Sequence, residues 1–328
     1  MSRTYLPLWI TFALVLLMFG AGASQFDGFT SLRVVTNLIS DNAFLLVTAL
    51  GMTLVILSGG IDLSVGSVIA LSGVAAALLI GPYQWHPLLA FALIVPCAAL
   101  FGAGMGALIQ YYQLQPFIVT LAGMFLARGV ATLLSEESVA IEHPFYDAVA
   151  EFGLELPDGG WLGATSLLTI ALVLLMLVLT HYSRFGSYVY ALGGNSQSAQ
   201  LMGVPVARTT ILLYASSSML AAMAGIIFSF YTYSGYALSA VGVELDAIAA
   251  VVIGGTLLTG GSGFIIGTVL GVLLMGLIQT YINFDGSLSS WWSKIVIGGL
   301  LFFFIALQKL LSKDLFSKKW QSKAGGKA

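Results

Sequence analysis

The sequence predicts an all-α polytopic membrane protein of about ten transmembrane helices, with an internal repeat and glycine-broken helix junctions. Three observations carry that expectation. Of 328 residues, 59% are hydrophobic and only 8% charged, with a mean hydropathy of +0.99, whereas soluble domains carry about 25% charged residues. Apolar runs of roughly 17–22 residues recur along the whole length, long enough for spanning helices and without the period-two pattern of a barrel strand. The few charges are also unevenly placed, as the polar breaks between runs show. A bilayer admits helices or closed barrels only, because unpaired backbone groups cost several kcal/mol in hydrocarbon.

Taken in order, the apolar windows lie at roughly 7–24, 43–58, 65–80, 88–109, 117–134, 165–181, 210–230, 245–258, 264–283 and 291–308. The first window follows Arg3 and ends in an AGA at 21–23, which also fits a cleavable signal peptide. A first transmembrane anchor is the simpler reading. The windows 43–58 and 65–80 flank a glycine turn at 58–64, and 245–258 and 264–283 flank another at 259–263. Each pair can equally be a broken or re-entrant helix. Arg128 lies inside the fifth window, where it can snorkel outward, pair with Glu136 or Glu137, or serve transport. Glu244 and Asp246 open the eighth, where the helix dipole favours acids, or face an external vestibule.

Charge sets the orientation. Segment 135–164 holds seven of the fourteen acids and no Lys or Arg, which places it outside. Segment 181–208 has Arg184 and Arg208 and no acid, and from Lys309 onward come six of the twelve basic residues, so both are expected in the cytoplasm. Arg3 agrees. Ten crossings satisfy all four placements by parity.

A shift of 201 positions aligns LSGGIDLSVGSV (57–68) with LTGGSGFIIGTV (258–269). Leu57, Gly59, Gly60, Gly66 and Val68 recur as Leu258, Gly260, Gly261, Gly267 and Val269. Duplicated halves with interrupted helices at matching positions point to a transport pathway. Gly263, Gly267 and Gly271 form a small-residue ridge for close helix packing, and Asp62, Gly66 and Ala70 are its counterpart. Asp62 is thus an acid where the second copy has glycine. It can cap the helix that follows, with Ser64 satisfying free N–H groups, or be a polar element of the pathway. Capping is the expectation followed below.

Catalytic and metal motifs are missing from the sequence. GGK near the C-terminus is followed by Ala, not the Ser or Thr of a phosphate-binding loop, and HExxH does not occur. His86, His143 and His181 are far apart in sequence, and the lone Cys97 cannot form a disulfide within the chain. GAGMG at 102–106 lies in an apolar window with no strand before it, so helix packing is its reading. The most informative polar stretch is RFGSYVYALGGNSQSAQLMGVPVART (184–209), in which Asn195 can cap a short helix at 196–202 that Gly203 and Pro205 stop. Such a helix suits docking into a groove of another protein.

Together, LSGGIDLSVGSVIAL, FIVTLAGMFLARG, RFGSYVYALGGNSQSAQLMGV and ELDAIAAVVIGGTLLTGGSGFIIGTVLG resemble the permease subunits of bacterial ABC importers for ribose, xylose, galactose and related sugars, over nearly the whole chain. LISDNAFLLVTALGMTLVILSGGIDLSVGSV, SEESVAIEHPFYD and QTYINFDGSLSSWW are similar, more narrowly, to the permeases of galactofuranose importers. The resemblance implies one transmembrane permease domain over 1–328 in the bacterial inner membrane, with both termini cytoplasmic. Its parts are a periplasmic loop at about 135–164, a cytoplasmic coupling loop at about 182–209 and a basic cytoplasmic tail at 309–328. It implies a homologous permease, a cytoplasmic ABC ATPase and a periplasmic sugar-binding protein as partners, besides the bilayer, and no nucleic acid. ATP is then hydrolysed on the ATPase, with no cofactor or metal on this chain. Gly193, Gly194, Asn195, Ser196, Ala199 and Gly203 match the segment that contacts the ATPase. Gly59, Gly60, Asp62, Ser64, Gly66, Gly260, Gly261 and Glu244 are the candidates for the translocation path or the helix breaks. A stand-alone secondary transporter would need coupling-ion chemistry, and neither adjacent intramembrane carboxylates nor a Lys–Asp relay is apparent.

Overall fold

The computed structural model describes residues 5–289 and 291–324, with side chains as far as Leu310. Arg3 and the basic side chains beyond Lys309, used above for orientation, lie outside the described residues. About three quarters of the chain is helical. In order come α1 (Leu6–Gln25), α2 (Leu32–Asp41), α3 (Ala43–Leu57), α4 (Val65–Ile80), α5 (Pro87–Tyr111), α6 (Pro116–Leu134), α7 (Pro144–Glu151), α8 (Ala164–Tyr182), α9 (Arg184–Gly194), α10 (Ser196–Leu201), α11 (Val206–Thr232), α12 (Val243–Ile253), α13 (Ile265–Asp285) and α14 (Trp291–Ala324). Every apolar window of the sequence contains one of them. Among the described residues seven are long and apolar enough to cross a bilayer alone, and α2 with α3, bent by 55°, makes an eighth where the pair is one span. Helices α4 and α12, at 16 and 11 residues, are shorter than the two remaining crossings of the expected ten require.

Burial explains the arrangement. Every residue of α3 except Phe44 is buried, as expected of a helix that is apolar on all sides. It packs with α4 and α5 around α11, the central helix of the bundle. The reading of GAGMG as a packing motif holds: Gly102 and Gly106 of α5 seat against Tyr214 and Ile211 of α11, where a Cβ would collide with backbone. The outer helices α1, α5, α6, α8 and α14 instead expose large apolar side chains such as Leu17, Leu100, Leu133, Leu174 and Phe302, the surface a lipid tail would cover.

Five features depart from the windows. α12 stops at Ile253 rather than near 258, because Gly254 and Gly255 follow and backbone 254–264 is not helical. α14 runs on past 308 through Ala324. Three helices were not expected at all: α2, capped by the Ser31 hydroxyl on the Val34 N–H (3.4 Å), α7, capped by the His143 ring on the Phe145 N–H (3.1 Å), and α9, capped by Ser183 on Gly186 (3.2 Å).

The connections gather into two ends. At one, β1 (Val139–Ala140) pairs antiparallel with β4 (Ser234–Gly235), and the hairpin of β2 (Gly153–Leu156) and β3 (Gly160–Gly163) packs on α2. The Trp161 N–H donates to Thr36 there (3.3 Å), the Tyr281 hydroxyl bonds Gln25, and Lys294 pairs with Asp246 at 2.7 Å. At the other end lie the turn at 58–64, the connection 112–115, α9, α10 and the break 254–264, with Tyr5 stacked on Phe264 at 5.1 Å.

Candidate functional site: two broken helices and the arm that joins them

The two repeat-related breaks match in backbone at their first glycine. Gly59 and Gly260, equivalent by the 201-residue shift, both take left-handed φ values, +84° and +82°, which glycine alone adopts without cost. The breaks also touch: the Gly261 N–H donates to the Leu57 carbonyl at 2.8 Å, and Gly260 lies against Gly59. A third glycine pair closes the junction. Gly193 and Gly194, the last residues of α9, pack on Leu57, Gly260 and Gly261 so closely that a Cβ at Gly193 would overlap the Leu57 carbonyl oxygen. The Tyr190 hydroxyl anchors α9 to the same break, donating to the Gly263 carbonyl at 2.7 Å. Burial pushes that phenol up to about 12, so it remains a donor well into the alkaline range.

Just beyond the first break, Asp62 is fully buried. One carboxylate oxygen accepts from the Ser64 N–H (3.0 Å) and the Ser64 hydroxyl (2.6 Å), and the other from the Ser217 hydroxyl of α11 (2.7 Å). Ser217 is eleven residues into the 27-residue α11, about 16 Å along its axis, so Asp62 sits deep in the bundle. Neither Asp62 nor Ser64 caps α4 as expected: among the described residues no side chain accepts from the free N–H groups of that helix, and the N–H that Asp62 holds is that of Ser64, just before it. The Ser64 hydroxyl donates to Asp62 instead. A carboxylate is the stronger acceptor, and it already holds the Ser64 backbone two residues on. Asp62 therefore ties the entry of α4 to the central helix.

The second non-helical stretch leads into α12. Gly235 lies against Gly73 and Val74, and Ala240 against Gly66, so 235–240 runs along two turns of α4, about 10 Å. Exposed peptide groups at that depth are tolerated only when buried in protein or lining a cavity. Arg128 of α6 meets part of the need: its Nη1 donates to the Ala237 carbonyl (2.5 Å) and to that of Ser239 (2.7 Å). Pairing with Glu136 or Glu137 is not what the structure shows: the hydrogen bonds of the guanidinium go to these two backbone carbonyls. Glu244, in the first turn of α12, lies against Gly66 of α4, with one buried carboxylate oxygen that has no hydrogen-bond partner among the described residues.

The expected coupling residues separate into two groups. Asn195 caps α10 by accepting the Ser198 N–H (2.8 Å), and Gly203 ends it with φ +83°. Helix α10 ends at Leu201, one residue short of the expected 196–202, with Met202 as its C-cap. Ser196 is exposed, whereas Ala199 is fully buried and anchors the helix, and Gly193 faces the two breaks rather than solvent. Leu201 and Met202 are 90% and 74% exposed, and sequence reasoning did not single them out. Two apolar residues after a capped, polar helix were the available signal. Arg128's true partners, two backbone carbonyls, leave no trace in sequence. No group of His, Cys, Asp and Glu among the described residues could hold a metal ion.

Buried polar side chains at broken helices, and a capped helix on an arm reaching those breaks, define a membrane transport subunit. The chain belongs to the family described as branched-chain amino acid transport system / permease component, which it matches over residues 34–305. It is a permease subunit of an ABC importer and not an enzyme. It is 56% identical to the inner membrane ABC transporter permease protein YjfF of Escherichia coli K12, over 95% of this chain and 94% of that one. It is 34% identical to the fructose import permease protein FruG of Bifidobacterium longum, covering 94% and 92%, and 37% identical to the ribose import permease protein RbsC of E. coli K12, covering 82% and 83%. No solved structure matches the chain.

Proposed function

We propose that this chain is one membrane-spanning subunit of an ATP-driven sugar importer in a bacterial inner membrane, with galactofuranose as its cargo. Its partners are a homologous permease, with which it forms the path, a cytoplasmic ATPase and a periplasmic sugar-binding protein. Both termini and α9–α10 lie in the cytoplasm, and 135–164 faces the periplasm. The observation that carries the reading is the arm: exposed α10 continues from α9, whose glycines pack on both broken helices. A partner that moves α10 thereby acts on the two breaks at once, and ATP hydrolysis on that partner needs no nucleotide motif in this chain. Sugar as cargo is supported by relatives named for fructose and ribose import, and galactofuranose by the narrower resemblance of three stretches.

The test is uptake into proteoliposomes holding the complete complex with its binding protein. ATP-dependent uptake of labelled galactofuranose, not displaced by excess ribose or fructose, is the expected result. Uptake displaced by ribose or fructose instead would reassign the sugar. Uptake of leucine and of no sugar would overturn the reading.

A further inference from the structure

Below the glycine junction, between α10 and the ends of α5 and α11, is a cavity of about 510 Å³. We propose that it is a low-affinity sugar site on the cytoplasmic side of the breaks, which cargo occupies last before release. The proposal rests on the sugar-import reading and adds to it a place within this one subunit.

The lining is the argument. Besides Ser58 and Ser196, the polar residues that line it are Gln110, Gln113, Gln197, Gln200, Thr210 and Tyr214, and no Asp, Glu, Lys, Arg or His lines the cavity. Its volume lies within the range of about 300–1,000 Å³ usual for small-ligand sites. Each amide offers donors and an acceptor together, as a sugar hydroxyl does, so amides and hydroxyls can serve a neutral polyol whichever way its O–H groups turn. A cation, an anion or a nucleotide would find no countercharge. Hydrogen bonds between neutral groups are also about half as strong as charge-assisted ones, which suits a site that must let go.

Part of the set is held in place. Gln113 has a left-handed backbone (φ +53°), and its amide nitrogen donates to the Gln110 carbonyl at 2.6 Å, which leaves its own oxygen as an acceptor. Tyr214 is 2% exposed, with its hydroxyl beside Gly60. Ser58, Gly59 and Gly60 of the first break and Ser196, Gln197 and Gln200 of α10 line the same space. Sugar in the cavity therefore touches both the break that gates its arrival and the helix that a partner moves.

The experiment uses the whole complex, with changes on α5 and α11 so that α10 is untouched. Gln110→Leu combined with Thr210→Val removes an amide and a hydroxyl at nearly constant volume and should lower ATP-dependent uptake about tenfold, the effect of losing two neutral hydrogen bonds. ATPase co-purification and membrane abundance should stay at wild-type levels, and Gln110→Asn should recover much of the uptake. In a Cys97→Ser background, Gln113→Cys should react with a small maleimide more slowly when millimolar transported sugar is present, and at an unchanged rate with sucrose. Undiminished uptake by the double variant, or no protection of the cysteine, overturns the site. Loss of the ATPase from the double variant overturns it too, showing a docking surface for protein. If the wild-type complex takes up none of D-galactose, galactofuranose, D-ribose and D-fructose, the sugar-import reading itself fails.

Discussion

Replacing Asp62 separates its structural task from any direct part in transport. The carboxylate is fully buried and accepts three hydrogen bonds, from the Ser64 N–H, the Ser64 hydroxyl and the Ser217 hydroxyl. Asp62→Asn keeps the volume and the acceptor on the Ser64 side. Its NH₂ then faces Ser217, whose hydroxyl can turn to accept and give its own proton to the carbonyl one helical turn back. Charge-assisted bonds become neutral ones while the desolvation cost of a buried carboxylate disappears, so the net change should stay within about 1 kcal/mol. Asp62→Leu leaves the Ser64 N–H with no acceptor and forces both hydroxyls to re-aim. At about 1–3 kcal/mol for the unsatisfied buried N–H and about 0.5–1.5 kcal/mol for each of the two lost hydroxyl bonds, the total is about 2–6 kcal/mol, a large part of a typical stability of about 5–15 kcal/mol. Membrane abundance and thermal aggregation of the purified complex, read beside sugar uptake, provide the assay. Asn should assemble and transport nearly normally, while Leu should fail at assembly. Normal abundance and uptake in Leu would refute the reasoning outright. An Asn variant that assembles but does not transport would move the carboxylate from holding the turn to acting on cargo.

The remaining predictions concern the arm, the topology and the buried cation. Leu201→Asp with Met202→Asp, both exposed on α10, should detach the ATPase and abolish uptake with membrane insertion intact; full co-purification in that variant excludes α10 as the contact. In a Cys97→Ser background, a cysteine at exposed Ala150 should react with an impermeant thiol reagent on spheroplasts. One at exposed Ser198 should react only after the membrane is opened, and the reverse pattern overturns the orientation. Arg128→Gln loses at least one of the two bonds to the Ala237 and Ser239 carbonyls and should lower uptake about tenfold at equal abundance, with Arg128→Lys in between; equal uptake by all three would show that the stretch holds without the guanidinium. Gly193→Ala puts a methyl group onto the Leu57 carbonyl and should reduce ATP-dependent uptake more than ATPase binding, whereas a fully active variant would mean the junction yields easily.

The windows were legible because hydrocarbon demands long apolar runs, and Pro87 and Pro116 stand at the first positions of α5 and α6, where two of those windows begin. The glycine breaks were legible from the repeat. Helices α2, α7 and α9 were missed because amphipathic segments beside the bundle do not read as windows, although Ser31, Pro144 and Ser183 were visible start signals. The window 245–258 ran too long because apolar content hid Gly254 and Gly255, the residues that end α12. Asp62 could be placed at a turn from sequence alone, but not joined to Ser217, 155 positions away. The same holds for Gly193 against Leu57, and for Arg128 against carbonyls that any residue could supply.

The junction of three glycine pairs has a mechanical consequence. Side chains between two moving parts behave as springs, since each can change rotamer and absorb a displacement before passing it on. Where Gly193–Gly194 bears on Gly260–Gly261 and Leu57, backbone meets backbone with no side chain between them, and the Gly261–Leu57 hydrogen bond pins the two repeats to each other. Such a bearing has almost no backlash. A shift of an ångström or so in α9 is delivered nearly whole, and to both halves of the subunit in the same instant, so the halves cannot be driven out of phase from this side.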